Sequence, residues 1–233
     1  MRFLATMTVC SLVACQKSSS NDSANTDTSA ETTESSVVEA TFTALDPSTG
    51  AGVSGLSVMG ADASEITDDD GQATISVEAD ATFEVRIEGD GLLNHVLVGP
   101  AGEEPFNYIS FVSTESLYDT VLSMMGLEQQ PDTGIVVVGV DYDDLSPVVG
   151  AKVSIGNEHD PAFTLGSTGP QVGDTIPEGA MGMVSFPNVR LGESSVLVEP
   201  PDGVLCTAFP GGGQMPYFPV MQKFVTVVQF HCR

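Results

Sequence analysis

The chain has 233 residues, a formal net charge of −25 at pH 7 and 41% hydrophobic residues. Charge of this sign repels phosphate backbones and anionic headgroups at long range, which excludes nucleic-acid binding and electrostatic attachment to a membrane. Tryptophan is absent and histidine occurs three times, so few side chains are available for catalytic or stacking roles.

The first residues have the pattern of an export signal. Arg2 supplies a positive charge, and residues 3–13 form a short, mainly apolar run. The run is shorter than the roughly 18–20 residues that cross a bilayer, and an acidic, Ser/Thr-rich stretch follows it. We therefore predict a processing signal rather than a transmembrane helix. The alternative is a buried N-terminal helix with an incidental cysteine.

The end of this run, Leu12-Val13-Ala14-Cys15, resembles the lipobox of bacterial lipoproteins. The resemblance implies that residues 1–14 are removed and that Cys15 is thioether-linked to diacylglycerol. Gln16 stands where an Asp would, by the same resemblance, favour retention at the inner membrane. We therefore expect an exported protein, lipid-anchored in the cell envelope, at the outer membrane of a Gram-negative bacterium. An ordinary cleaved signal peptide is the alternative.

A polar stretch follows the cysteine. Residues 17–37 consist mainly of Ser, Thr, Asn, Asp, Glu and Ala, with almost no large apolar side chain. Such a segment cannot bury enough surface to offset the entropy of ordering it. Residues 15–37 are predicted to be a disordered acidic tether between the lipid and a folded body.

Beyond the tether, apolar and polar residues alternate in short runs, as in strands with one buried face. Residues 73–77, 83–87 and 224–232 follow this period of two. The run Ile135-Val136-Val137-Val138 is apolar on both faces. It predicts a central strand that is covered on both sides.

Residues 99–133 separate two groups of strands and contain one predicted helix. Ser113 or Thr114 could cap its start, and Gly126 could end it. Four apolar side chains lie near one face of this helix: Leu117, Val121, Leu122 and Met125. A helix this short is marginal alone, so we expect it to pack on a neighbouring sheet.

The two groups of strands contain an internal repeat. At a constant offset, three positions of the first copy agree with the second: Val53 with Val148, Gly55 with Gly150, and Val58 with Val153. Residues 71–75 then align with 182–186. The second copy carries an insertion over 157–180.

The repeated segments, clearest at 150–155 and 184–189, resemble the carboxypeptidase regulatory-like domain. The resemblance implies an all-β fold with two tandem Ig-like/transthyretin-like β-sandwiches and a short helix in the inter-domain segment. The predicted domains are a lipoprotein signal peptide (1–14), the tether (15–37), a first sandwich (38–100), a linker with the helix (101–133) and a second sandwich (134–233).

Two groups of carboxylates could hold Ca²⁺, which takes several oxygen ligands. The candidate ligands are Asp68, Asp69, Asp70, Asp141 and Asp143. The spacing of an EF-hand loop is absent, and Asp-Gly turns between strands explain the same residues. Calcium is therefore a candidate ligand beside a turn interpretation that needs none.

The histidines His95, His159 and His231 are isolated from one another, with no spacing that supplies two metal ligands from one element. Each is predicted to be a surface or strand residue. Glu158 and Asp160 flank His159 in the insertion and form a local acid–histidine group. We expect no resident cofactor.

The C-terminal part holds two cysteines and an unusual loop. With Cys10 in the discarded peptide and Cys15 lipidated, Cys206 and Cys232 remain and are predicted to form a disulfide worth about 2–4 kcal/mol. The loop 209–220 contains four large side chains: Phe209, Met215, Tyr217 and Phe218. They form either an exposed apolar patch for a partner or a plug folded back over the sandwich.

Together these features predict a non-catalytic envelope protein with structural, adhesion or ligand-presentation roles. The alternative is a binding module for a peptide, glycan or calcium, through the insertion 157–180 or the loop 209–220. An enzyme is disfavoured, because no nucleophile elbow, phosphate-binding loop or dinucleotide fingerprint occurs. The expected partners are the membrane, through the lipid, and an envelope protein, peptide or glycan.

Overall fold

The computed structural model describes residues 36–215 and 217–233. The predicted signal peptide, Cys15 and nearly all of the predicted tether lie outside the described residues. Within the described part, almost every element is a strand. The first half contains β1 Val37–Leu45, β2 Ser57–Met59, β3 Ser64–Ile66, β4 Gln72–Glu78, β5 Thr82–Glu88, β6 Asn94–Pro100, β7 Phe106–Phe111 and the helix α1 Glu115–Met124.

The second half of the described chain continues with strands alone. They are β8 Thr133–Tyr142, β9 Lys152–Ile155, β10 Phe163–Gly166, β11 Gly169–Val172, β12 Ala180–Arg190, β13 Gly192–Ser194, β14 Val196–Glu199, β15 Cys206–Ala208, β16 Phe218–Val220 and β17 Phe224–Cys232. The prediction of an all-β fold with one short helix is confirmed.

The first sandwich packs a three-stranded sheet, β4-β1-β7, against strands β2, β5 and β6. The predicted alternation explains this packing, because every second side chain of β4 and β5 is buried. Phe42 and Tyr108, on β1 and β7, are among the largest fully buried side chains. Phe42 makes an edge-on contact with Phe83 of the facing sheet. Aromatic contacts of this geometry add to the apolar burial that stabilises the core.

The second sandwich packs strands β12, β8 and β17 against two small sheets, β9-β14 and β13-β16. Val136 and Val138 of β8 point into this second core, whereas Ile135 belongs to the first core. Strand β8 is therefore buried on both faces, as its sequence predicts.

Strand β17 joins the two sandwiches. It pairs in parallel with β8 on one side and with β6 on the other. One ten-stranded sheet therefore runs through both halves, in the order β11-β10-β12-β8-β17-β6-β5-β2-β3, with β15 paired beside β17. The predicted domain boundaries, 38–100 and 134–233, stay predictions. The shared sheet contains strands from both ranges and so does not mark a boundary between them.

The internal repeat is visible in the strand pairing. Strands β1 and β4 pair antiparallel as β8 and β12 do, and β2 pairs with β5 as β9 pairs with β14. Gly55 and Gly150, which align in sequence, have positive φ angles of 81° and 88°. Both positions therefore need the left-handed backbone conformation that glycine adopts without strain.

The helix α1 begins and ends where its sequence predicts. The side chain of Thr114 accepts a hydrogen bond from the backbone N–H of Leu117 at 3.1 Å. Gly126 follows the last turn with a φ of +72°. Leu122 is fully buried, and no helix of the described residues is long and apolar enough to cross a membrane.

Candidate functional site

A cavity of about 560 Å³ lies on the face of the ten-stranded sheet that the second core does not use. Strands β8, β12 and β17 contribute its floor, β6 and β7 of the first sandwich one wall, and α1 another wall. Its volume falls within the range of about 300–1,000 Å³ that small-molecule sites occupy.

The central strands supply the apolar floor of this cavity. Because β8 and β17 are apolar on both faces, Val137 and Val227 remain available on the face opposite the second core. Met181 and Met183 of β12 continue the same surface. Methionine side chains adapt readily to the shapes of apolar ligands.

His95 is a buried polar side chain of the cavity wall, with 2% of its surface exposed. Its Nδ1 lies 3.0 Å from the hydroxyl oxygen of Ser110, which also lines the cavity. Its Nε2 has no hydrogen-bond partner among the described residues. Burial lowers the pKa of His95 to about 4, so the imidazole is neutral at physiological pH.

Tyr118 enters the cavity wall from the helix. Its hydroxyl is buried and has no hydrogen-bond partner among the described residues. Burial, and to a smaller extent the nearby Asp119 carboxylate, raise the pKa of Tyr118 above its usual range. The phenol therefore stays protonated and can both donate and accept a hydrogen bond.

Asp141 lies at the end of β8, on the rim of the cavity. Burial raises the pKa of its carboxyl to about 7. Gly182 of β12 leaves the room that this carboxyl occupies, since a Cβ there would overlap the Asp141 side chain. Near neutral pH, Asp141 is therefore divided between its protonated and ionised forms.

The cavity combines an apolar lining with a few unpartnered polar atoms, an arrangement suited to binding. The contact between Ser110 and His95 resembles part of a nucleophile–base pair. However, no described carboxylate orients this imidazole, and its low pKa makes it a weak base at neutral pH. Among the described residues, no group of three or more His, Cys, Asp or Glu could hold a metal ion.

The predicted calcium ligands are separated between a turn, the cavity and the surface. Asp68 accepts hydrogen bonds from the backbone N–H groups of Asp70 and Gln72, at 3.0 and 2.9 Å, in the turn before β4. Asp69 belongs to the same turn and, like Asp143, is exposed. Calcium binding by these carboxylates stays a prediction.

The predicted disulfide between Cys206 and Cys232 is present. The two residues lie directly opposite one another in the antiparallel pair β15-β17. The disulfide therefore ties the segment before the loop 209–220 to the last strand of the shared sheet.

The loop 209–220 folds back onto the protein, which is the second of the two predicted interpretations. Phe209 packs on the first core and stacks on His231, with ring centroids 3.9 Å apart. Met215 packs on the second core, and Phe218 is buried. Tyr217, with 72% of its surface exposed, remains as the large side chain available to a partner.

The insertion 157–180 forms the hairpin β10-β11 at the edge of the ten-stranded sheet. Its His159 places Nδ1 2.6 Å from the backbone carbonyl oxygen of Asp160 and contacts the ring of Phe186 edge-on. The side-chain amide of Asn188 donates a hydrogen bond to the Asp160 carboxylate at 2.7 Å. These contacts give the local acid–histidine group a structural role.

Sequence reasoning missed the cavity and its polar residues His95, Tyr118 and Asp141. The sequence pattern predicts Asp141 as a candidate calcium ligand and His95 as an isolated strand or surface residue, and it does not bring the two together. The position of His95 beside the apolar run 96–98 is a signal for a buried histidine. The cavity itself has no local signal, because it depends on how distant strands and the helix meet.

Comparisons with known proteins give distant structural likenesses. No family model matches the sequence, and no curated protein shows significant similarity to it. The minor pilin GBS52 of Streptococcus agalactiae matches 84% of this chain and 95% of its own length, at 10% identity and a TM-score of 0.29. The shaft pilin SpaA of Lactobacillus rhamnosus GG matches 84% and 98%, at 10% identity and a TM-score of 0.26.

A third likeness is to the Bacillus anthracis TIE protein, at 9% identity and a TM-score of 0.27. The match covers 84% of this chain and 34% of that protein, so the chain spans about a third of its length. TM-scores this low do not establish a shared overall fold. The resemblance to the carboxypeptidase regulatory-like domain therefore stays a prediction from the sequence.

Proposed function

We propose that this chain is an exported, non-catalytic envelope protein that is anchored by lipid at Cys15. Its β-sandwich body serves a structural, adhesive or ligand-presenting role outside the cytoplasm, at the outer membrane of a Gram-negative cell. The lipobox-like residues 12–15 and the residue Gln16 after them support this placement.

The Cys206–Cys232 disulfide is the observation that carries the proposal. Disulfides form and persist in exported compartments, whereas cytosolic thiols are kept reduced. The cysteines face each other in paired strands, so the fold itself brings the two thiols together. A body built around such a bond is suited to the envelope, where the predicted export signal would direct it.

The charge of the chain supports attachment through lipid rather than through the protein surface. The chain carries a formal charge of −25 and is therefore repelled by anionic headgroups. A single acyl chain holds a protein only marginally, whereas several acyl chains give stable attachment. A diacylglycerol group at Cys15 would meet that requirement.

Cell fractionation of the Cys15→Ser variant tests this proposal. We expect the unsubstituted protein in the membrane fraction and the variant released in soluble form, because serine cannot carry the thioether. Cys10→Ser is the matched control: it changes a cysteine of the predicted signal peptide and is expected to leave the protein in the membrane. Retention of Cys15→Ser in washed membranes would show that the anchor lies elsewhere.

A further inference from the structure

We propose that the cavity beneath α1 binds an uncharged, mainly apolar small molecule that carries a hydroxyl or carbonyl group. This inference goes beyond the anchored scaffold described above and does not rest on the lipid at Cys15. It rests on the shape and lining of the cavity, on two unpartnered polar atoms, and on the charge around them.

The size and lining of the cavity fit a molecule with a large apolar part. Its floor and walls carry Val137, Val227, Met181 and Met183, together with Leu165 of β10. Burial of a hydrocarbon group against these side chains is favourable by about 25 cal/mol for each Å² of apolar surface that leaves water. A polar ligand such as a sugar would place much of its surface against these apolar side chains, which cannot replace its hydrogen bonds to water.

Two polar atoms at the cavity lack hydrogen-bond partners in the described protein. They are Nε2 of His95 and the hydroxyl oxygen of Tyr118. Buried polar groups are nearly always paired, and an unpaired one costs free energy. A ligand hydroxyl can pair with either group, and a carbonyl can accept a hydrogen bond from the Tyr118 hydroxyl. These pairings assign one polar group to the otherwise apolar molecule.

The charges at the cavity disfavour an anionic ligand. Its described lining contains no Lys or Arg, and Asp141 contributes a carboxyl. A carboxylate or phosphate inside would face this carboxyl and the negative field of the whole chain. The neutral imidazole of His95 offers no compensating positive charge.

The helix provides a route for entry. Leu117 lines the cavity and has 39% of its surface exposed, so the cavity extends to solvent beside this side chain. Leu122 is the fully buried residue of α1. Tyr118 of the same helix packs on the first core as well, so the route for entry is the opening beside Leu117 rather than a displacement of α1.

Calorimetric titration with decan-1-ol, and in parallel with decanoate, tests the assignment. The full chain carrying Cys15→Ser is used, so that no attached acyl chain competes for the alcohol. At about pH 8, where decanoate is ionised, we expect the alcohol to bind at least about tenfold more tightly than the carboxylate. Equal affinities, or no binding of the alcohol, would refute a site for uncharged apolar molecules.

The location of binding is tested by Val121→Trp, which fills the cavity from the helix. Met124→Trp places the same side chain on an exposed position of α1 and is the matched control. We expect the first to weaken decan-1-ol binding by about tenfold or more and the second to leave it unchanged. If both folded variants bind equally well, the alcohol binds somewhere else.

Tyr118→Phe keeps the shape of the wall and removes the unpartnered hydroxyl. If Val121→Trp does not fold, this variant still tests whether decan-1-ol binds in the cavity. Loss of one hydrogen bond to the alcohol is expected to weaken binding by about three- to tenfold. Removing an unpaired buried group should leave the melting temperature of the free protein unchanged or raise it. Unchanged alcohol affinity in this variant would contradict the role of Tyr118.

Discussion

Asp141 shows how one position of the fold sets the properties of the cavity rim. Its carboxyl is held partly out of water against the backbone of Gly182, and burial raises its pKa to about 7. A carboxyl with a raised pKa favours the protonated form in the folded state. The folded protein therefore binds a proton here that the unfolded chain releases at lower pH.

The sign of the resulting pH dependence follows from this linkage. The contribution of Asp141 is fully present below its ordinary pKa of 3.8 and is lost as the pH rises to about 7. We expect Asp141→Asn to match the unsubstituted protein near pH 3, below the ordinary pKa, and to be more stable at about pH 8. After a discount for partial exposure, the gain should be about 1–2 kcal/mol in the free energy of unfolding.

Urea denaturation at both pH values measures this difference. Asp143→Asn, two residues away at an exposed carboxylate, is the control and is expected to change stability little at about pH 8. The Asp143 carboxylate lies 3.7 Å from Nδ1 of His231, but burial lowers the pKa of His231, so the imidazole is neutral at that pH and little is lost with the contact. An equal effect of the two substitutions at about pH 8 would refute the burial of Asp141.

At the scale of elements, local signals in the sequence predict the helix and four of the longer strands, β4, β5, β8 and β17. Thr114 caps the start of α1 and Gly126 follows its end, and each signal depends only on its neighbouring residues in the sequence. The bounds of α1 therefore follow from local chemistry. The alternation in β4 and β5 likewise predicts which side chains are buried. Pairing between distant strands has no such signal, and the parallel contact of β17 with β6 was not predicted.

Removing the helix cap tests whether α1 is held as described. Thr114→Ala eliminates the hydrogen bond accepted from the N–H of Leu117 and is expected to lower the free energy of unfolding by about 1 kcal/mol. Thr120→Ala, on an exposed position of the same helix, is the control. Since alanine is a better helix former than threonine, this control is expected to have a neutral or slightly stabilising effect. Equal losses in both variants, measured by thermal denaturation, would contradict the capping role.

At the scale of the molecule, two repeated sandwiches share one sheet, and a cavity remains where the helix, the first sandwich and the outer face of the second meet. The repeat and the doubly buried strand β8 were predicted from sequence, because each depends on a short pattern. The cavity was not, because His95, Tyr118 and Asp141 belong to separate elements that tertiary packing brings together. Export and the lipid anchor depend on residues 1–16 and stay predictions from sequence.

Intact-mass spectrometry of the protein purified from membranes tests the lipid-anchored, exported state most directly. We predict a chain that begins at Cys15, carries diacylglycerol on its sulfur, and keeps Cys206 and Cys232 joined. A chain that retains residues 1–14, or one with a free thiol at Cys15, would contradict this account.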